Sequence, residues 1–263
     1  MCKWFSILFF VIVPALLFGQ EKKGDIEKDQ QIKGVIIAGM NMSQVDGDEV
    51  YGYYKFGANV GVGAIIPLKK NFSIGIETLF NQKGSYKKFP PAGDSTGIPY
   101  YKLRLDYLDV PLMVYYEDRH VWTFGLGFSW GRRVNYKETI RGYDTTFSQY
   151  MLNGTPLYGS HIVEGDTTLT QYPLLKNDWN VIVSIYLRIW KHLKLNVRYS
   201  YSMANIGRRD YINASGATWT RKLFNNVISV RLMYLLNEKY VPPPKEKKNK
   251  NKKTTASLPD WNL

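Results

Sequence analysis

The chain has 263 residues, 44% hydrophobic and 15% aromatic, with 20 Tyr, 7 Trp, 22 Gly, one Cys and a formal net charge of +13. That length suits one domain, and richness in Tyr, Trp and Gly is a strand composition rather than that of an α/β enzyme. The lone Cys2 lies ahead of an apolar leader, so the exported chain would carry no disulfide, thiolate metal site or cysteine nucleophile.

Lys3 precedes an apolar run from Phe5 to Phe18 that ends at Gly19. The run has the length of a signal-peptide core and is short for a membrane span, so residues 1–19 read as a signal peptide. Residues 20–31 follow as a short charged periplasmic segment. Beyond residue 20 no run reaches 18 apolar residues, which excludes transmembrane helices.

What recurs instead is alternation. Phe56, Ala58, Val60, Val62, Ala64 and Ile66 alternate with Lys55, Gly57, Asn59, Gly61 and Gly63. Phe72, Ile74, Ile76, Thr78 and Phe80 form a second such face, Leu108 to Tyr116 a third, and Trp122 to Trp130 a fourth. Two strands near 178–190 and 193–204, a last one at 224–236 and a weaker first one at 33–44 bring the expected number to eight. A period of two with one apolar face is the mark of a strand. Short connections at Pro67–Asn71, Glu117–His120 and Trp190–His192 alternate with long polar ones near 44–53, 84–101, 137–177 and 205–222.

This pattern predicts an all-β fold over residues 32–237: an eight-stranded antiparallel up-and-down transmembrane β-barrel of the cell outer membrane. Short turns would face the periplasm and long loops the outside. A soluble lipocalin-like barrel is the rival, but it would present the polar face to water, and here that face is rich in small residues. Aromatics gather near both ends of the apolar face. Phe56, Phe80, Trp130, Trp179 and Tyr201 lie near the loops, and Phe72, Tyr116, Trp122 and Tyr234 near the turns, as two interfacial girdles would.

In 181–189 and 193–201 the apolar residues are odd-numbered, so Arg188 and Arg198 point inward. Lys55, Glu77, Asp109 and Arg231 share that inner face, giving a predicted lumen charge network in which the arginines neutralise Glu77 and Asp109. No cofactor site, metal-ligand spacing or catalytic constellation stands out among His120, His161 and His192. The nearest imitation of a hydrolase is His161 with Ser160 and Asp144 or Asp166 in one loop.

Residues 238–263 begin near a triple proline and read as a basic, disordered periplasmic tail with a net charge of +4. Lys245, Lys247, Lys248, Lys250, Lys252, Lys253 and Trp261 are its candidate partner contacts. Expected partners are outer-membrane lipid and lipopolysaccharide and a secretion-complex or periplasmic protein. Nucleic acid is excluded, because the charge is spread along an exported chain.

The segments GVIIAGMNMSQVDGD (34–48), IPLKKNFSIGIETLFNQKGS (66–85), LDYLDVPLMVYY (105–116, with Pro111 inside a strand) and GLGFSWG (125–131) resemble the PorT-like outer-membrane β-barrel family. The resemblance covers most of 32–237. It implies an eight-stranded outer-membrane barrel and a non-enzymatic role in protein secretion of the type IX kind, with no catalytic residue to carry over. A small-solute channel and, more remotely, a surface hydrolase are the alternatives.

Overall fold

A computed structural model describes residues 31–68, 71–88, 100–118, 121–141, 155–156, 174–212 and 218–238. It contains β1 (Lys33–Asp46), β2 (Lys55–Pro67), β3 (Phe72–Lys88), β4 (Tyr100–Asp118), β5 (Trp122–Arg141), β6 (Thr155–Pro156), β7 (Asn177–Arg188), β8 (Leu193–Ser202), β9 (Gly207–Ile212) and β10 (Thr218–Leu235). Eight of these pair in the order β1-β2-β3-β4-β5-β7-β8-β10, and β10 pairs back onto β1 from Val35↔Leu235 to Asp46↔Phe224. Every pairing is antiparallel, and the β1–β10 pairing closes the eight strands into a ring.

Alternation decides which way each residue points. On β7, Trp179, Val181, Val183 and Ile185 are exposed, while Asp178, Asn180, Ile182, Ser184 and Tyr186 are buried. On β2, Phe56, Val60 and Val62 are exposed and Lys55 and Asn59 buried. The apolar residues therefore cover the outside and the small and polar ones line the lumen, the inverse of a soluble barrel. Outward apolar side chains with nothing packed on them are what a hydrocarbon solvent requires.

The walls are uneven. β7 and β8 have 12 and 10 residues, close to the length that crosses a bilayer. β3, β4, β5 and β10 have 17, 19, 20 and 18, so they rise beyond that length at the loop end. The connections expected at 84–101 and 205–222 are correspondingly shorter than predicted. β3 continues to Lys88 and β4 starts at Tyr100, and β9 lies within the second connection, paired with the upper part of β10. β6 adds to β9, so two short strands form a small outer sheet beside the eight of the ring. Alternation in 207–212 and 218–223 is interrupted by charge, which hid this hairpin from a hydrophobic reading.

Two local irregularities have visible causes. Pro111 has no N–H to give to a ladder. The β3–β4 pairing runs to Ile76↔Leu112 and resumes at Leu79↔Asp109, skipping Glu77 and Thr78 opposite Pro111 and Val110. On the other side of β4, Val134 is an extra residue between Asp106↔Asn135 and Tyr107↔Arg133. This bulge lets the upper part of β5 turn away from β7, whose pairing stops at Arg132↔Asn177.

The lumen is filled at both ends. Near the turns Val35, Ile37, Leu79, Met113, Tyr115, Ile182, Tyr186, Met233 and Leu235 form one buried apolar cluster. Near the loops Val45, Val50, Tyr101, Leu103, Leu105, Tyr107, Leu174, Ile206 and Leu223 form another.

Candidate functional site

Between the two apolar plugs lies a belt of buried charge. Glu77 on β3 is the centre of its lower half. Arg198 Nη2 donates to Glu77 Oε1 at 2.8 Å and Arg231 Nη1 to Oε2 at 3.1 Å. Tyr115 Oη adds a third donor at 3.0 Å. β8 stands four places from β3 around the ring, so the Arg198–Glu77 pair crosses the lumen rather than running along its wall. Asn196 holds Arg231 from the other side, its Oδ1 accepting from Nε at 2.8 Å.

The upper half is built on Lys83. Its Nζ lies 3.1 Å from Asp109 and 3.0 Å from Asp178, and 4.7 Å from the centre of the Tyr107 ring. Ser202 and Asn225 donate to Asp178 at 2.6 and 2.8 Å, and Asn81 donates to Asp109 at 2.6 Å. Asn41, Asn59 and Ser229 extend the network, Asn41 and Asn59 both donating to Asn81 Oδ1. Three acids (Glu77, Asp109, Asp178) face three bases (Lys83, Arg198, Arg231), all buried. The lower half has one excess positive charge and the upper half one excess negative charge, so the belt is neutral as a whole.

The predicted network is thus regrouped. Glu77, Arg198 and Arg231 come together. Asp109 is neutralised by Lys83, not by an arginine, because its level in the barrel lies above that of Arg198. Arg188 stands at the turn-end rim, donating to Glu238 at 2.6 and 2.9 Å and lying 3.7 Å from Glu117. Lys55 is buried near the loop end, where its Nζ donates to the Phe56 carbonyl at 2.6 Å and no ion pair joins it to the belt among the described residues. Lys83 and Asp178 were missed by the sequence reading. Parity could have found both: Lys83 continues the inward set Glu77, Leu79, Asn81 on β3, and Asp178 continues Ile182 and Asn180 on β7.

Glu238 is the first residue of the segment read as the tail. It is buried at the rim, where Arg188 and Lys33 both bind it, so the chain stays docked to the barrel at its last described residue. Burial pushes this carboxyl up, but the two cations outweigh that and hold it below its ordinary range. The tail contacts Lys245, Lys247, Lys248, Lys250, Lys252, Lys253 and Trp261 lie outside the described residues, as do His120, Ser160, His161, Asp144 and Asp166. No group of three residues suited to holding a metal occurs among the described residues.

The nine girdle aromatics all point outward, six of them exposed and Phe80, Trp130 and Tyr201 half-buried. Trp130 and Trp179 are directly opposite on β5 and β7. At the other end the Phe72 and Tyr116 rings meet at 5.2 Å.

A second polar group lies at the loop end. Asp48, in the β1–β2 connection, accepts from the Ser85 hydroxyl and from the Val50 amide at 2.9 Å. Arg209 on β9 pairs with Glu138 on β5 at 2.5 Å and donates to Tyr101 Oη at 3.0 Å. Burial is the dominant influence on Asp48 and pushes its carboxyl up to about 7.

No curated protein matches the chain. Solved structures with a similar fold include Ail of Yersinia pestis, at 10% identity over 78% of this chain and 99% of that one with a TM-score of 0.41. OprG of Pseudomonas aeruginosa matches at 11% identity over 81% and 100%, TM-score 0.37, and the protease OmpT of Escherichia coli at 11% over 82% and 99%, TM-score 0.37. The outer membrane protein beta-barrel domain matches residues 28–208. With that match and a ring of strands whose apolar face is turned outward, this chain belongs to the outer membrane protein beta-barrel domain family and resides in the outer membrane.

Proposed function

We propose that this barrel is a closed, non-enzymatic scaffold that supports protein secretion or envelope assembly through its extracellular strand extensions and its periplasmic tail. The observation that carries this reading is the filled lumen: two apolar plugs and a self-neutralised belt leave the interior occupied by its own side chains. Chemistry available to a partner then sits at the two ends. The PorT-like character of 34–48, 66–85 and 105–116 points the same way.

Affinity purification from cross-linked native membranes tests it. The full chain should enrich a discrete set of envelope proteins. Deletion of 241–263, which leaves Glu238 in place, should lose part of that set while heat-modifiable migration shows the barrel still folded. Recovery of no envelope partner by either form would sink the scaffold reading.

A further inference from the structure

The β1–β2 connection folds inward over the loop-end mouth of the barrel rather than out into solvent. Asp48, Glu49 and Val50 are all buried, and Val50 belongs to the upper apolar cluster with Val45, Tyr101, Leu103 and Leu223. The chain enters and leaves this turn through left-handed backbone, with φ of 94° at Gly47 and 111° at Gly52. Gly47 passes so close to β10 that an added Cβ would collide with the Lys222 carbonyl oxygen. Between the two glycines Glu49 holds φ 60°, a conformation that is costly for a residue with a Cβ, so the inward fold depends on its contacts. Two glycine pivots with a strained residue between them describe a lid rather than a rigid corner.

The contacts that hold it converge on one carboxyl. Asp48 accepts from the Val50 amide and from the Ser85 hydroxyl on β3. Charged and titratable groups reach this mouth from every wall. Glu138 of β5 pairs with Arg209 of β9, which also donates to Tyr101 of β4. Arg221 of β10 lies 3.3 Å from Glu49. Asp46 of β1 accepts from Gln44 and Asn226, and Lys55 of β2 donates to the Phe56 carbonyl. Burial dominates the cost of charge on Asp48 and Glu138 adds to it, while Ser85, the Val50 amide and Arg209 relieve it in part. Losing the Asp48 proton therefore works against the inward fold.

We propose that residues 47–52 are a pH-released lid on the loop end of the barrel, closed while Asp48 is protonated and swung outward on its two glycines when the carboxylate forms. Release withdraws Val50 from the upper apolar cluster and bares the surface beneath it, so the face that the chain presents to the medium changes with the pH of that medium. The lid concerns the outer end alone and stands or falls separately from the scaffold reading.

Hydrogen exchange of the mature chain in detergent micelles, followed by mass spectrometry and corrected for the intrinsic pH dependence of amide exchange, measures the opening. The closed carboxyl titrates at about 7 and the open one near its ordinary 3.8. The opening constant of peptides covering 48–52 should therefore rise roughly fiftyfold between about pH 5 and about pH 7 and then level off. Exchange in β7 should not follow it, which separates lid release from unfolding of the barrel. Asp48→Asn should remove the rise. Ser85→Ala keeps the carboxyl but deletes a donor that favours its charged form, so the levelling-off should move to higher pH. Arg221→Gln frees Glu49 alone and should open the lid by no more than about fivefold at every pH, with the slope unchanged. Heat-modifiable migration is the folding control for each variant. A flat opening constant in the parent, a rise that persists in Asp48→Asn, or a rise shared by β7 would overturn the proposal.

Discussion

At the scale of single residues, Glu77 has the largest consequences. Among the described residues it is the one acid that pairs with both Arg198 and Arg231, and all three are buried. Replacing a buried pair by apolar groups is often nearly neutral, whereas removing one partner strands the other. Glu77→Ala strands two guanidinium groups, so it should cost about 3–5 kcal/mol, read as a lowered urea midpoint of the refolded barrel in detergent. The triple change Glu77→Leu, Arg198→Met, Arg231→Met should recover most of that loss. If Glu77→Ala unfolds at the parental midpoint, the belt is not what holds the lumen together. The inward direction of Glu77 and Arg198 was legible from odd–even parity alone. Which acid each cation meets was not, because Lys83 and Asp109 share a level that only the register of β3 on β4 determines.

At the scale of elements, the β1–β2 connection is held down by Asp48. Loss of solvation lifts its carboxyl from 3.8 to about 7, against the lowering effect of Ser85 and the Val50 amide. The folded chain then keeps a proton that the unfolded chain has already released across this window. Stability must fall as pH rises between those values, and the penalty is complete above about 7. Asp48→Asn should therefore flatten the difference in urea midpoint between about pH 5 and about pH 8, while the parent is less stable at the higher pH. An unchanged difference would place the titration elsewhere. The strands themselves were largely readable, since eight alternating segments became the eight strands of the ring. Their upper ends were not. Above the membrane both faces carry polar residues, as in β9 and the first part of β10, and the period of two loses its hydrophobic contrast.

At the scale of the whole molecule, closure and filling act together. β1 and β10 join over twelve residue pairs, which closes the ring, and a ring of eight strands is narrow enough for side chains to fill. The parent should give no stepwise current in planar bilayers. Arg198→Leu breaks the belt but leaves both apolar plugs, so it should destabilise the barrel without opening a conductance. A steady single-channel current from the folded parent would make it a pore and remove the basis of the scaffold reading.

What the sequence by itself determined is direction. Backbone pleating sends successive side chains to opposite faces whatever the rest of the chain does, so a greasy face and a small, polar face could be assigned strand by strand. Only the tertiary structure decided partnership. Glu77 meets Arg198 over a separation of 121 residues, and Arg188, ten residues earlier and on the same inner face, instead clamps Glu238 at the rim. Height in a barrel depends on stagger summed around the ring, including the one-residue shift at the Val134 bulge, and no local pattern encodes that sum.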